Sequence, residues 1–213
     1  HENTFDTQNE SDPLIEDLEV SLAALREELH VRAENAGSVV GPLVLSDDGD
    51  TVNCARLGKG GYSVPSIVEP EYIEIRRCTA DFVLLVEKGT QWNRLSEDKF
   101  WRRYNCVLLT GNGQPPRGVR RLARRLHEEY KIPVYVLVDN DPWGYYIYSV
   151  VKQGSINLAF ESQRMAIPKA KFIGFSSADP DRYGLPRNVG IKLNDKDINR
   201  AKELMKYKWF QKK

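Results

Sequence analysis

The chain has 213 residues and a mass of 24.4 kDa, enough for one sizeable hydrophobic core or a core domain with a smaller companion. With 41% hydrophobic and 29% charged residues it is neither disordered nor fibrous, and no run approaches the roughly 18 apolar residues that cross a bilayer. Lysine and arginine (31) nearly cancel aspartate and glutamate (30), so attraction to nucleic acid must come from where the charge sits.

The first residues, HENTFDTQNESDP, lack the basic and apolar regions of a secretory signal and read as chain inside a domain. From Asp12 the pattern predicts a helix, with Asp12 as N-cap, Pro13 at the first helical position and Glu16, Asp17 and Glu19 favoured by the dipole. Ile15, Leu18, Leu22, Leu25 and Leu29 recur along one face, and turn formers at Asn35 to Gly37 end it. Up to Arg77, short apolar runs (Val39-Val40, Leu43 to Leu45, Ile73 to Ile75) broken by DDGD and GKGGYSVP predict short strands and loops. Gly58 to Ser63 has the look of a phosphate loop without its spacing or its helix, and reads as a flexible loop available for DNA contact. Cys54, Cys78 and Cys106 are odd in number and lack C-x-x-C spacing, which argues against a disulfide framework or a zinc site and for a reducing cytoplasm.

Three β-type runs, Phe82 to Val86, Cys106 to Leu109 and Val134 to Val138, then alternate with longer amphipathic segments, and a fourth covers Phe172 to Phe175. Strand and helix alternating at this spacing predict an α/β fold whose parallel sheet is buried by helices on both faces. In such sheets chemistry collects beyond the carboxyl ends of the strands.

The first of these strands runs into Glu87-Lys88-Gly89 and the third into Asp139-Asn140-Asp141-Pro142-Trp143-Gly144. Asp139 and Asp141, on a turn leaving a strand, are spaced to face one hard cation, with Glu87 completing the site or acting as general acid or base. The plain alternative is that the aspartates cap a helix or brace a turn. Three acids at one sheet edge repel one another unless a cation joins them, which favours Mg²⁺. Between the acidic strands, Gly111 and Gly113 in Thr110 to Gly118 let the backbone approach a phosphate at a helix start, although the segment is no P-loop. The next helix has Val119, Leu122, Ala123 and Leu126 on one face and Arg117, Arg120, Arg121, Arg124 and Arg125 over much of the rest. Such a run is ordinarily a solvated face; almost purely cationic in a near-neutral chain, and beginning at the rim of the proposed metal site, it suits a phosphate backbone. The histidines form no metal or triad constellation, and Trp143, Tyr145, Tyr146 and Tyr148 read as core or interface.

Glutamate after one strand and D-x-D after a later one resembles the Toprim signature shared by topoisomerases, primases and some nucleases. Longer words are more specific: SDPLIEDLE, LVEKG, FWRRYNCVLLTGNGQPPRGVRRL, PVYVLVDNDPWGYYIYSVVKQGSINLAF and RAKELMKYKWF. Across nearly the whole chain they resemble the family of topoisomerase VI A subunits and, more distantly, the eukaryotic meiotic double-strand-break proteins. The resemblance implies a Toprim-type sheet over residues 78–213 with a truncated C-terminal extension, and an N-terminal helix and small β-rich segment over 1–77 packed on it. It also implies Mg²⁺ on Glu87, Asp139 and Asp141, and DNA contact through Lys88, Gly111, Gly113, Arg117, Arg120, Arg121 and Arg124. The implied partners are duplex DNA, a second copy of the A subunit, and a separate ATPase B subunit in an A2B2 assembly, at the nucleoid in the cytoplasm. The implied activity is ATP-dependent type IIB topoisomerase: a tyrosine in a winged-helix domain attacks the DNA backbone, both strands are cut and rejoined, and supercoils relax. That domain would precede Asp12, and no tyrosine here matches its nucleophile motif, so the fragment alone is expected to bind metal and DNA weakly and not to cleave.

Rival readings are a Toprim primase or metal-dependent nuclease, disfavoured by GNGQPP and DPWGYYIYSVVKQGSI, and a non-catalytic DNA-binding or dimerisation module, which metal binding would separate. A haloacid-dehalogenase-like phosphatase needs its D-x-D after the first core strand, whereas here it follows the third.

Overall fold

A computed structural model describes residues 4–154, 159–186, 188 and 190–211. The strands are β1 (Ser38–Val40), β2 (Leu43–Asp47), β3 (Asp50–Asn53), β4 (Tyr62–Ser63), β5 (Ile73–Cys78), β6 (Phe82–Val86), β7 (Cys106–Thr110), β8 (Val134–Leu137) and β9 (Lys171–Ile173). The helices are α1 (Gln8–Leu22), α2 (Gly89–Glu97), α3 (Phe100–Arg103), α4 (Arg117–Tyr130), α5 (Pro142–Gln153), α6 (Ala159–Met165), α7 (Asp179–Arg182) and α8 (Asp195–Leu204).

Strands β6 and β7 are apolar at nearly every position, so only a sheet covered on both faces can bury them. They lie at its centre, in the order β4-β1-β7-β6-β8-β9, with β7, β6, β8 and β9 mutually parallel. Val83, Leu85, Val107 and Leu109 face one side, against Val119, Leu122, Ala123 and Leu126 of α4 and Ile147 and Val151 of α5. Leu84, Val86, Cys106 and Leu108 face the other, against Trp92 and Leu95 of α2 and Phe100 and Trp101 of α3.

The N-terminal segment enters this sheet, because β1 runs antiparallel beside β7 and β4 antiparallel beside β1. The sheet is therefore mostly rather than wholly parallel, and Tyr62 and Ser63, expected in a loop, form its edge. A second, antiparallel sheet, β3-β2-β5, sends Leu43, Leu45, Ile73 and Ile75 into the same core as α4.

The first helix differs from the expected one at both ends. It begins at Gln8 with Thr7 as N-cap, and Pro13 lies inside it. Glu10, not Asp12, organises the start, accepting from the Asp6 N–H and the Thr7 hydroxyl at 3.2 and 3.3 Å. The helix stops at Leu22 because Ala23 turns left-handed, with φ 50°. The Glu19 carboxylate then takes the Arg26 backbone N–H at 3.0 Å and its Nε at 2.9 Å, which folds the following chain back. Leu25 and Leu29 consequently sit in turns, while Leu18 and Leu22 remain exposed.

Candidate metal centre

The β6–β8 register sets Val86 beside Leu137, so Glu87 leaves its strand opposite Val138 and Asp139 follows one residue later on the adjacent parallel strand. The Glu87 N–H donates to the Leu137 carbonyl at 2.9 Å, and the Asp139 N–H donates to Glu87 Oε2 at 3.0 Å. Lys88 Nζ donates to Asp139 Oδ2 at 2.8 Å. Asp141 is the N-cap of α5, its Oδ1 accepting the Gly144 N–H at 2.7 Å, with Pro142 in the first turn. The glycine loop is tied to the same edge: the Gly113 N–H donates to the Glu87 carbonyl at 2.8 Å, at a φ of 122° that only glycine adopts readily.

Burial pushes the Glu87 carboxyl above its ordinary range, repulsion from Asp139 and Asp141 adds to this, and the Asp139 N–H and Lys88 charge oppose it. Lys88 is raised by its hydrogen bond to Asp139 and by that carboxylate's charge. The three acids therefore share one electrostatic site. Each commits one oxygen to a partner, and among the described residues the other oxygens carry no hydrogen bond. The ligand set is not preassembled, since among the described residues no three His, Cys, Asp or Glu side chains are grouped to hold an ion. Lys88 neutralises Asp139, and Asp141 is turned toward Gly144, as the capping alternative predicted.

The raised Glu87 fixes the sign of a pH effect. A group that binds its proton more tightly folded than unfolded contributes stability fully below its unfolded value, and that contribution is lost as pH rises through the folded one. In urea unfolding without divalent cations, the stability of Glu87→Gln minus that of wild type should therefore grow as pH climbs from the ordinary carboxylate range through Glu87's raised one. A flat difference contradicts the assignment.

Gly144 supplies a second prediction. Replacing glycine by alanine inside a helix ordinarily gains about 0.5–1 kcal/mol. A Cβ here, however, would lie 2.2 Å from the Asp139 carbonyl oxygen, so α5 can begin this close to β8 only with glycine. Gly144→Ala should therefore lower the melting temperature, and a rise would overturn the packing argument.

The arginines of α4 occupy a different setting from the open face expected of them. Arg117 grips Glu19 with Nη1 and Nη2 at 2.9 and 3.0 Å. Arg121 grips Glu69 with Nε and Nη2 at 2.8 Å each, and Arg164 joins the same carboxylate at 2.6 Å. Arg124 pairs with Glu128 at 2.5 Å and donates to the Ala166 carbonyl. Arg125 Nη1 donates to the Val68 and Ile73 carbonyls at 2.7 and 2.6 Å, while Arg120 is buried. The acidic partners of Arg117 and Arg121 come from distant segments that a helical projection of α4 cannot display, whereas Glu128, the partner of Arg124, lies one turn on along α4 itself. Lys88, paired with Asp139, keeps 57% of its side chain exposed at the acidic edge, and the position a Gly113 side chain would take faces empty space. Gly111, by contrast, is backed by Pro115 and Pro116. A cleft of about 990 Å³ between α1 and the start of α4, lined by Arg26, Arg32, Arg117 and Arg120, does not include the three acids.

Residues 82–213 match the family model described as the Toprim domain of the topoisomerase 6 A subunit and Spo11. The chain belongs to this topoisomerase 6 A-subunit/Spo11 family. Within that family, residues 33–79 match the all-beta domain in the DNA topoisomerase VI alpha subunit, and residues 1–31 match a model described as type IIB DNA topoisomerase. The chain is 44% identical to the A subunit of type 2 DNA topoisomerase 6 from Aeropyrum pernix, over 99% of its own length and 56% of the relative's. It is 46% identical to that of Pyrococcus horikoshii, over 100% and 57% respectively. The A subunit of DNA topoisomerase 6 from Arabidopsis thaliana is 35% identical over 94% of this chain and 47% of that protein. The chain thus spans little more than half the length of its archaeal relatives. Among its described residues no helix is long and apolar enough to cross a membrane.

Proposed function

We propose that this chain is the Toprim-bearing part of the A subunit of an ATP-dependent type IIB topoisomerase, which cuts, passes and rejoins duplex DNA and relaxes supercoils. The observation that carries the reading is the joining of Glu87 and Asp139 across adjacent strands, with Asp141 two residues on, in a chain of this family. Glu87, Asp139 and Asp141 offer free carboxylate oxygens to Mg²⁺, with water and phosphate completing its shell. The ion, when bound, stabilises charge on the phosphate oxygens and the leaving 3′ oxygen.

The chain's own residues do the rest. Glu87, with its affinity for a proton raised, is suited to hold or release one beside the reacting phosphate. Lys88 is the residue that would pass from Asp139 to a DNA phosphate were that carboxylate to hold a cation, and the open side of Gly113 lets a backbone approach, with Gly111 shaping the loop. Arg117, Arg120, Arg121 and Arg124 support DNA contact indirectly, by fixing α4 and its loop beside the acidic edge.

The attacking tyrosine lies outside these residues. That fits the engagement of those beside the metal motif, where the Tyr145 hydroxyl donates to Asn140 and its ring stacks on Phe172. Residues 1–77 and 78–213 act as companion and Toprim units, two A subunits pair around DNA, and a B subunit supplies ATPase gating in an A2B2 assembly at the nucleoid.

In the full-length A subunit with its ATPase partner, supercoil relaxation should require both ATP and a divalent cation; relaxation in excess chelator would sink the proposal. Lys88→Ala should reduce the slope of log affinity against log salt by about one, the effect of losing one phosphate contact. An unchanged slope removes Lys88 from the interface.

A further inference from the structure

On the outer side of α5, the Arg200 guanidinium of α8 lies 4.4 Å from the Trp143 ring centroid and 4.3 Å from that of Tyr146. The two rings meet edge to face, 89° apart, so the cation is held by both. Arg200 Nη1 also pairs with Glu203 at 2.8 Å, which orients the guanidinium plane. A second tie runs alongside, in which Trp143 Nε1 donates to Asp197 Oδ1 at 3.2 Å. Asp197 uses its other oxygen to accept the Asn194 N–H at 3.0 Å, closing the capping box at the start of α8. Asp197 thus joins the first turns of α5 and α8.

What this fastens is the metal motif. Trp143 stands between Asp141 and Gly144, whose N–H is the hydrogen bond that orients the Asp141 carboxylate. The opening turn of a helix lacks intrahelical partners for its first N–H groups and is where helices fray. We propose that Arg200 and Asp197 are positioning residues that act through Trp143 to hold the first turn of α5, and with it the Asp141 carboxylate, in the capped position that leaves its second oxygen toward the acidic edge. The part concerning the cation rests on the function proposed above; the clamp itself does not. Residues more than fifty positions beyond the D-x-D thereby become part of its support.

The test uses the whole chain, with amide hydrogen exchange and Mn²⁺ binding by electron paramagnetic resonance as separate readouts. Arg200→Ala should speed exchange at Gly144 and Tyr145 by about tenfold and leave Val150 and Val151 unchanged. It should also weaken Mn²⁺ binding by about tenfold, as loss of a ligand-orienting contact does. Arg200→Lys, which keeps the charge but not the planar guanidinium, should fall between, and supplies the reading if the alanine variant does not fold. Unchanged exchange at Gly144 in a folded variant overturns the proposal, as does equal loosening along all of α5, which would make Arg200 a general dock for α8. If the wild-type chain binds no Mn²⁺, the metal reading fails, while the exchange pattern still decides the clamp.

Discussion

Asp139→Ala in the reconstituted two-subunit enzyme is expected to lower DNA strand scission by a factor of about 10²–10³, roughly 3–4 kcal/mol of transition-state stabilisation. The fold should survive, because the contact that joins Asp139 to Glu87 uses its backbone N–H, which alanine retains. What alanine removes is the carboxylate that pairs with Lys88 and repels Glu87. Lys88 is then released at the acidic edge, and Glu87 loses one of the charges that hold its carboxyl high. A cleavage assay with Mg²⁺, alongside circular dichroism, separates lost chemistry from lost structure. Full scission by the variant would take Asp139 out of the site.

Glu19→Ala should cost about 3–5 kcal/mol of stability, the range for breaking a buried ion pair from one side. Glu19 is 2% exposed and accepts from the Arg26 N–H and Nε and from both terminal nitrogens of Arg117. Burial alone would push its carboxyl up, but the hydrogen bonds and charges of Arg117 and Arg26 outweigh it and hold the group below its ordinary range. Its contribution is therefore present above the unfolded carboxylate value and lost as pH falls through the lower folded one. Removing Arg117 as well leaves less charge unpaired, so the double variant should lose less than the sum of the two single ones. Urea unfolding reads all three, and a loss under about 1 kcal/mol for Glu19→Ala would class the pair with weak surface bridges.

The same contacts show where the sequence was informative. The strands at Phe82, Cys106 and Val134 were legible because runs of buried apolar residues end at turn formers and lead into helices with a clear apolar face. The meeting of Glu87 and Asp139 was legible for the related reason that strand ends in such sheets gather. The arginines were not. Charge on α4 is visible in sequence, but Glu19 and Glu69 lie 98 and 52 residues from the arginines they bind, and only the folded chain brings them together. The first helix was misplaced because Asp12-Pro13 imitates a helix start, while its true end depends on an alanine turning left-handed and on Glu19 capturing Arg26. Val39-Val40 read correctly as a strand, but nothing local reveals its antiparallel partner, β7. At Asp141 the capping and metal-facing readings coexist, because a cap uses one carboxylate oxygen and leaves the other.

The central claim is that Glu87, Asp139 and Asp141 form a divalent-cation site, and a Mn²⁺ titration of this chain followed by electron paramagnetic resonance tests it most directly. Wild type should remove free Mn²⁺ from solution at one site, and the Asp139→Ala, Asp141→Ala double variant, folded by circular dichroism, should not. Equal binding by both chains, or by neither, would contradict the account.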